Sequence, residues 1–181
     1  MAGFGTILIR ESITYIQISL LNTSGQNLLE AAIPAWQILL VPTLGGLLVG
    51  LFIFYFIPGK SALGVANVIE SSTLRGGRMP FRAGIGSAIS SAASIGFGAS
   101  VGRGGPAIHL GATFGAWLAQ KLHLTRSNSR ALLGCGAAAA VAASFNAPIA
   151  GALFSHEVIV GHFALSAFAP IVIASVAGTV V

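Results

Sequence analysis

The sequence predicts an all-α, polytopic membrane protein whose helices are tilted, unequal in length and broken. Three observations carry that prediction. Hydrophobic residues make up 55% of the chain and charged residues 7%, against roughly 25% charged in a soluble domain, and mean hydropathy is +0.89. The few charges fall mostly between apolar runs. Several of those runs are interrupted by Gly and Pro, as in "ASVGRGGPAIHLGATFG" at 99–115.

The elements follow in order. The N-terminal "MAGFGTILIRESITYIQISLLN" has Arg10 and Glu11 inside it, unlike the basic start and clean apolar stretch of a signal peptide. It reads as the end of a helix emerging into solvent. Residues 35–57 carry no charge and exceed the ~20 apolar residues a span needs. Pro42 and Gly45–Gly46 kink that span, and Trp36 and Tyr55 sit near its ends, where aromatics anchor at the interface. A short helix is expected from 62 to 74, ending at Gly76–Gly77. Residues 83–102 are uncharged and rich in Gly, Ser and Ala, which lets helix backbones approach closely in lipid. A second helix continues from Pro106, since proline suits a first helical turn. Gly111 and Gly115 form a G-x-x-x-G pair on one face of it. The next helix, "RSNSRALLGCGAAAAVAASF", has Ser127 or Asn128 as its N-cap. "NAPIAGALFSHEVIVG" starts another, capped by Asn146 with Pro148 in the first turn. "FALSAFAPIVIASVAGTVV" is the last and stops in mid-span. Arg75, Arg78 and Arg82 form one basic group, and Lys121, Arg126 and Arg130 another. If both are cytoplasmic, the chain between them goes in and comes back as a hairpin broken near 100–106.

Composition also excludes function classes. The net charge of +5 comes from nine Lys/Arg against four acids. These flank apolar spans, which argues against nucleic acid. The single cysteine, Cys135, excludes an internal disulfide and a multi-cysteine metal site, and reads as a small packing residue. No metal or cofactor is expected. His156 and Glu157 are adjacent and face different ways, and 156 and 162 lack the i, i+4 spacing of a helix-borne zinc pair. No paired carboxylates or nucleophile–base spacing suggest an enzyme. "GRGGP" lacks the phosphate-binding pattern G-x-x-x-x-G-K-[ST].

Irregular backbone inside a bilayer is tolerated where it is buried in protein or lines a cavity. Helix N-termini leave N–H groups unpaired, carry partial positive charge and bind anions; broken helices of transporters use them in this way. Three helix starts have suitable chemistry: "SALGVANV" at 61–68, "GRGGPAIH" at 102–109 and "FNAPIAG" at 145–151. The candidate anion-lining residues are Leu63, Gly64, Val65 and Ala66 at the first, and Gly102, Arg103, Gly104, Gly105 and Pro106 at the second. Taken singly, such a break is more often a packing kink, and Arg103 fits equally a structural role against helix-end carbonyls. His109 either hydrogen-bonds a neighbouring helix or titrates near the site. His123 is an interface residue. Glu157 pairs with a structural partner such as an arginine, and Glu70 and Arg75 bound a solvent-facing helix end.

Taken together, these stretches resemble the CLC chloride channel and chloride/proton exchanger family. "GRGGPAIHLGATFG" looks like its G-R-E-G-P helix start. "GCGAAAAVAASFNAPIAGALFSHEV" is similar to its G-A-A-A-G-x-A-A-A-F-N-A-P-x-A-G-x-x-F-x-x-E-E segment, and "LGVANVIES" to the region around G-S-G-I-P. The resemblance runs from about 35 to 181. It implies the first of two inverted repeats: residues 1–181 as a single transmembrane domain, the N-terminal half of a CLC membrane domain truncated at its C-terminus. It further implies a multi-pass protein of the inner or plasma membrane, a homodimer at full length, a second repeat as partner, and chloride or another small anion as permeant ion. The second repeat's anion-lining elements have no counterpart in the chain, so the fragment alone is not expected to conduct.

Three positions depart from the family pattern. Gly104 stands at the gating glutamate. Val158 aligns with the internal proton-transfer glutamate. Leu63 replaces the serine of G-S-G-I-P. Coupled exchange needs a titratable relay, and both carboxylates are absent. The expectation is therefore a passive chloride channel or proton-uncoupled anion transporter, with anions at helix N-termini near the membrane midplane. The alternative is a non-conducting or degenerate CLC-like scaffold that keeps the fold and has lost the site.

Overall fold

The computed structural model describes residues 2–21, 35–56, 63–100, 102, 104–161 and 165–180. Among these the architecture is wholly helical: α1 (Ala2–Leu21), α2 (Ala35–Phe56), α3 (Val65–Thr73), α4 (Phe81–Gly96), α5 (Gly104–Lys121), α6 (Arg126–Phe145), α7 (Pro148–Phe154) and α8 (Leu165–Val180). α7 runs on into one π-helical stretch, Ser155–Val160.

α6 is the centre, packed against α1, α5, α7 and α8. Small residues make this possible. A Cβ added at Gly111 of α5 would run into the carbonyl of Gly136 on α6, and one added at Gly136 would run into the carbonyl of Gly111. Gly115 meets the Leu132 carbonyl in the same way. The two backbones therefore touch directly along the expected G-x-x-x-G face. In lipid, where apolar burial gives helices no net drive to associate, such close van der Waals contact is what holds them. The Ala-rich stretch of α6 (Ala137, Ala138, Ala140, Ala142) is fully buried, and Cys135 is a largely buried free thiol in a cluster with Ala138, Ala152 and Ile171.

Several expectations need correction. α1 runs for 20 residues and is packed rather than emerging into solvent: Ile9 and Ile13 enter a core with Ala88, Ala92, Ile95 and Leu110. Apolar residues one turn apart give it a face for α4 and α5. α4 ends at Gly96 rather than at 102, because Gly98 turns the chain at φ 95°. α5 begins at Gly104, two residues before Pro106. The N-cap of α6 is Thr125, not Ser127 or Asn128, and its hydroxyl makes no cap bond. Asn146 does not cap α7. It closes α6 in the left-handed region (φ 52°, ψ 40°), which Asn tolerates, and Ala147 is the N-cap with Pro148 at the first helical position.

Among the described residues no helix is long and apolar enough to cross a membrane. The stretch expected to span at 35–57 is a helix of 22 residues containing Pro42. Residue 57 and the side chains of 37 and 38 lie outside the described residues, so a full crossing there is not established. Trp36 and Tyr55 are exposed near its two ends.

The hairpin reading holds. The turn after α3 lies directly on the start of α6, with Gly76 against the Arg126 side chain and Gly77 against the Ser129–Arg130 backbone. The Gln120 amide donates to the Met79 carbonyl at 3.0 Å. Both basic groups thus sit at one end of the molecule, and α4 and α5 go out and return between them.

Candidate functional site

The start of α3 is held tightly. Ser87 of α4 accepts the Leu63 N–H at 3.1 Å and donates to the Leu63 carbonyl at 3.0 Å. Gly64 is the N-cap. Its N–H donates to Asn67 Oδ1 at 3.0 Å, while its carbonyl accepts the Asn67 N–H at 3.1 Å. This is a reciprocal cap of the kind that satisfies first-turn donors internally. It narrows the candidate site: of Leu63, Gly64, Val65 and Ala66, the first two N–H groups already have protein acceptors. Val65 and Ala66 are the first-turn residues whose N–H groups no intrahelical carbonyl reaches.

Among the described residues the start of α5 borders a cavity. Gly104, Gly105 and Pro106 form its first turn, and a cavity of about 450 Å³ lies beside it, lined by Thr6, Arg10, Gly102, Gly104, Ser144 and Phe145 among others. A Cβ on Gly104 would sit 3.2 Å from Phe145 Cζ, so the phenyl ring occupies the flank where a longer residue would begin. Eighteen residues of helix stand behind this N-terminus, whose dipole favours negative charge in the cavity. Arg103 lies outside the described residues. Arg10 was missed as a site residue by reading α1 as a solvent-exposed end. The available signal was a charge embedded in an apolar helix, which marks function by default in a membrane setting.

The third start, at Pro148, serves a different purpose. The preceding elbow delivers Ser144 and Phe145 to the cavity at Gly104. Beyond it, Ser155 donates to the Gly134 carbonyl at 2.6 Å, locking the π-helical stretch onto α6. His156 is buried edge-on against Phe168, while Glu157 and Val158 are exposed. Among the described residues no ion pair reaches Glu157, so the arginine partner expected for it is not seen there. Glu70 and Arg75 do pair, at 2.9 Å and with partly exposed side chains, so they contribute little to stability. His123 is exposed in the left-handed region at φ 50°.

The expected residues thus divide between two cavities. Gly102 and Gly104 face one together with Arg10. Leu63 faces another, of about 670 Å³, together with Asn67, Arg75, Arg82 and His109. His109 is buried, and among the described residues neither ring nitrogen has a hydrogen-bond partner, so the neighbouring-helix bond expected for it is not seen there. Five residues of α5 separate Gly104 from His109, about 7.5 Å along the axis.

Comparison with known proteins places these features. The family model described as voltage gated chloride channel matches residues 45–181. A ClcB-like chloride channel protein of Ralstonia nicotianae is 33% identical over 99% of this chain and 43% of its own length. The voltage-gated ClC-type chloride channel ClcB of Yersinia pseudotuberculosis is 30% identical over 81% of this chain and 36% of its own. The ClcB of Escherichia coli is 29% identical over 100% and 44%. The crystal structure of a slow cyanobacterial Cl⁻/H⁺ antiporter superposes with a TM-score of 0.75 at 22% identity, covering 99% of this chain and 43% of that one. The chain therefore spans less than half the length of the relatives it matches, and shares their all-α fold over that part.

Proposed function

Because the chain belongs to the voltage-gated chloride channel family, we propose that it supplies one side of a passive anion path, without coupled proton transport, in a multi-pass membrane protein. Chloride or a similar small anion meets the N-terminus of α5 in the cavity shared by Gly104 and Arg10. A second copy of the protein and a second inverted repeat complete the assembly. The observation that carries this reading is the cavity at the start of α5. Where the family pattern has a glutamate, Gly104 brings no carboxylate to compete with an anion, and Arg10 is among the residues that line the cavity beside it.

The second support is Val158. Proton transfer across a membrane needs a chain of titratable groups, and neither Gly104 nor Val158 titrates. The basic groups at one end of the hairpin favour a cytoplasmic location for that end. The fold, shared with that of a slow cyanobacterial Cl⁻/H⁺ antiporter, is compatible with either transport mode, so the mode rests on these two side chains.

The test is flux in liposomes containing the intact protein. Chloride efflux above empty vesicles is expected, with no uphill proton movement when a chloride gradient is applied. Stoichiometric proton pumping would refute the uncoupled reading. One observation favours a second reading, a non-conducting scaffold: the N–H groups of Leu63 and Gly64 are already occupied by Ser87 and Asn67. Well-folded protein giving no flux above empty vesicles would establish the scaffold instead.

A further inference from the structure

We propose that the cavity between α3, the turn at 74–80 and the start of α4 is an accessory binding site for a small monovalent inorganic anion, with His109 as its innermost donor. The cavity is separate from the one at Gly104 but is lined by Leu63 of the first helix start, so the proposal rests on the anion-path reading for the nature of the ligand.

Four observations lead there. First, His109 is 1% exposed, and among the described residues both ring nitrogens lack a partner. Buried polar nitrogens without partners cost about 1–3 kcal/mol each and are rare in folded proteins, so a ligand or ordered water belongs beside this ring. Second, the ring lines a cavity of about 670 Å³, ample for an anion with part of its water shell. Third, the two side-chain acceptors best placed to oppose an anion each already accept a hydrogen bond. The Glu70 carboxylate is held by Arg75 at 2.9 Å, and Asn67 Oδ1 is held by the Gly64 N–H at 3.0 Å. Fourth, what remains is mainly donors: the Asn67 amide nitrogen, the Ser71 hydroxyl, the Arg82 guanidinium and an N–H of His109. The charged and titratable groups facing the cavity are Glu70, Arg75, Arg82 and His109. Their balance is positive by one with the histidine neutral. Such a donor-rich wall with its only carboxylate paired suits an anion and repels a cation.

The elements around the ring fix its orientation. Gly84 of α4 lies directly against Thr113, one turn after His109, and the Thr113 hydroxyl donates to the His109 carbonyl at 2.7 Å. On the other side α5 touches α6 through glycine. The histidine therefore has little space except toward the cavity.

The experiment is crystallographic and uses bromide as the probe. Crystals of the intact protein grown in bromide are expected to show an anomalous peak within hydrogen-bond distance of a His109 ring nitrogen. His109→Gln keeps a donor and should keep the peak. His109→Leu should weaken bromide binding about tenfold or more, the effect of losing a charge-assisted hydrogen bond. If the leucine variant does not fold, Arg82→Gln gives the same readout from the opposite wall. No peak in the unmodified protein, a lipid phosphate in its place, or an unchanged peak in His109→Leu would overturn the proposal. Absence of anion flux would refute the transport reading while leaving a bromide peak at His109 standing, so the two failures are distinct.

Discussion

Restoring a carboxylate at the start of α5 tests whether the cavity at Gly104 lies on the anion path. In Gly104→Glu the new Cβ sits 3.2 Å from Cζ and 3.5 Å from Cε2 of Phe145, a contact that a small rotation of an exposed ring relieves. Beyond Cβ the side chain extends into the cavity of about 450 Å³ shared with Thr6 and Arg10. There the carboxylate meets the positive end of an 18-residue helix. A negative group at that position gains about 0.3–1 kcal/mol, and up to about 2 kcal/mol when partly buried. That corresponds to roughly a 2- to 30-fold advantage over the empty site, in direct competition with a permeating anion. Chloride efflux from liposomes at pH 7.5 should fall by that factor. The sign with pH follows from the charge. The helix end that favours the carboxylate also lowers its titration from the ordinary value near 4.3 by about 0.2–1.5 pH units, so it ceases to compete, and flux recovers, only as pH falls below roughly 3–4. Gly104→Gln has nearly the same volume and no charge, so its flux should not change with pH. Glutamate flux equal to the unmodified protein at pH 7.5, or equal loss in both variants at both pH values, would refute the argument.

Two further predictions concern the frame around the site. Gly77→Ala places a Cβ 2.8 Å from the Ser129 carbonyl carbon at φ 81°, combining left-handed strain of about 1–2 kcal/mol with overpacking of about 1–3 kcal/mol. Gly76→Ala at φ 59° meets only the flexible Arg126 side chain at 3.2 Å and incurs the strain alone. In detergent the first should lower the apparent Tm by roughly 4–20 °C and the second by a few degrees; equal shifts would count against the contact between the turn and α6. Ser87→Ala removes both partners of the Leu63 backbone, costing about 1–3 kcal/mol. It also frees the Leu63 N–H, so thermal stabilisation by added bromide should increase. An unchanged bromide response would mean that this amide lies off the anion site.

The helical class and the order of the elements were legible in the sequence because they depend on local signals: apolar runs, glycine breaks, and proline at helix starts. The G-x-x-x-G pair at Gly111 and Gly115 correctly marked a close helix contact, since only a missing Cβ allows it. Caps were less legible. Asn146 suits an N-cap and a left-handed C-cap equally well by residue type, and the route of the backbone into Ala147 decided between them. α1 was misread because Arg10 and Glu11 stand out more than the spacing of Ile9 and Ile13, which buries its face.

The site divides along the same line. The sequence by itself determined that no carboxylate stands at Gly104 or Val158, because side-chain chemistry needs no coordinates. It also placed Gly104–Pro106 at a helix start, because proline and glycine restrict the backbone locally. Only the tertiary structure decided which donors are spent and which are available. Ser87 is 24 positions from Leu63 along the chain yet bonds its backbone, and Arg10, far from Gly104 in sequence, lines the same cavity through helix packing. His109 followed the same rule: its residue type was visible at once, but its buried ring and the cavity before it arise from how α3, α4 and α5 pack around it.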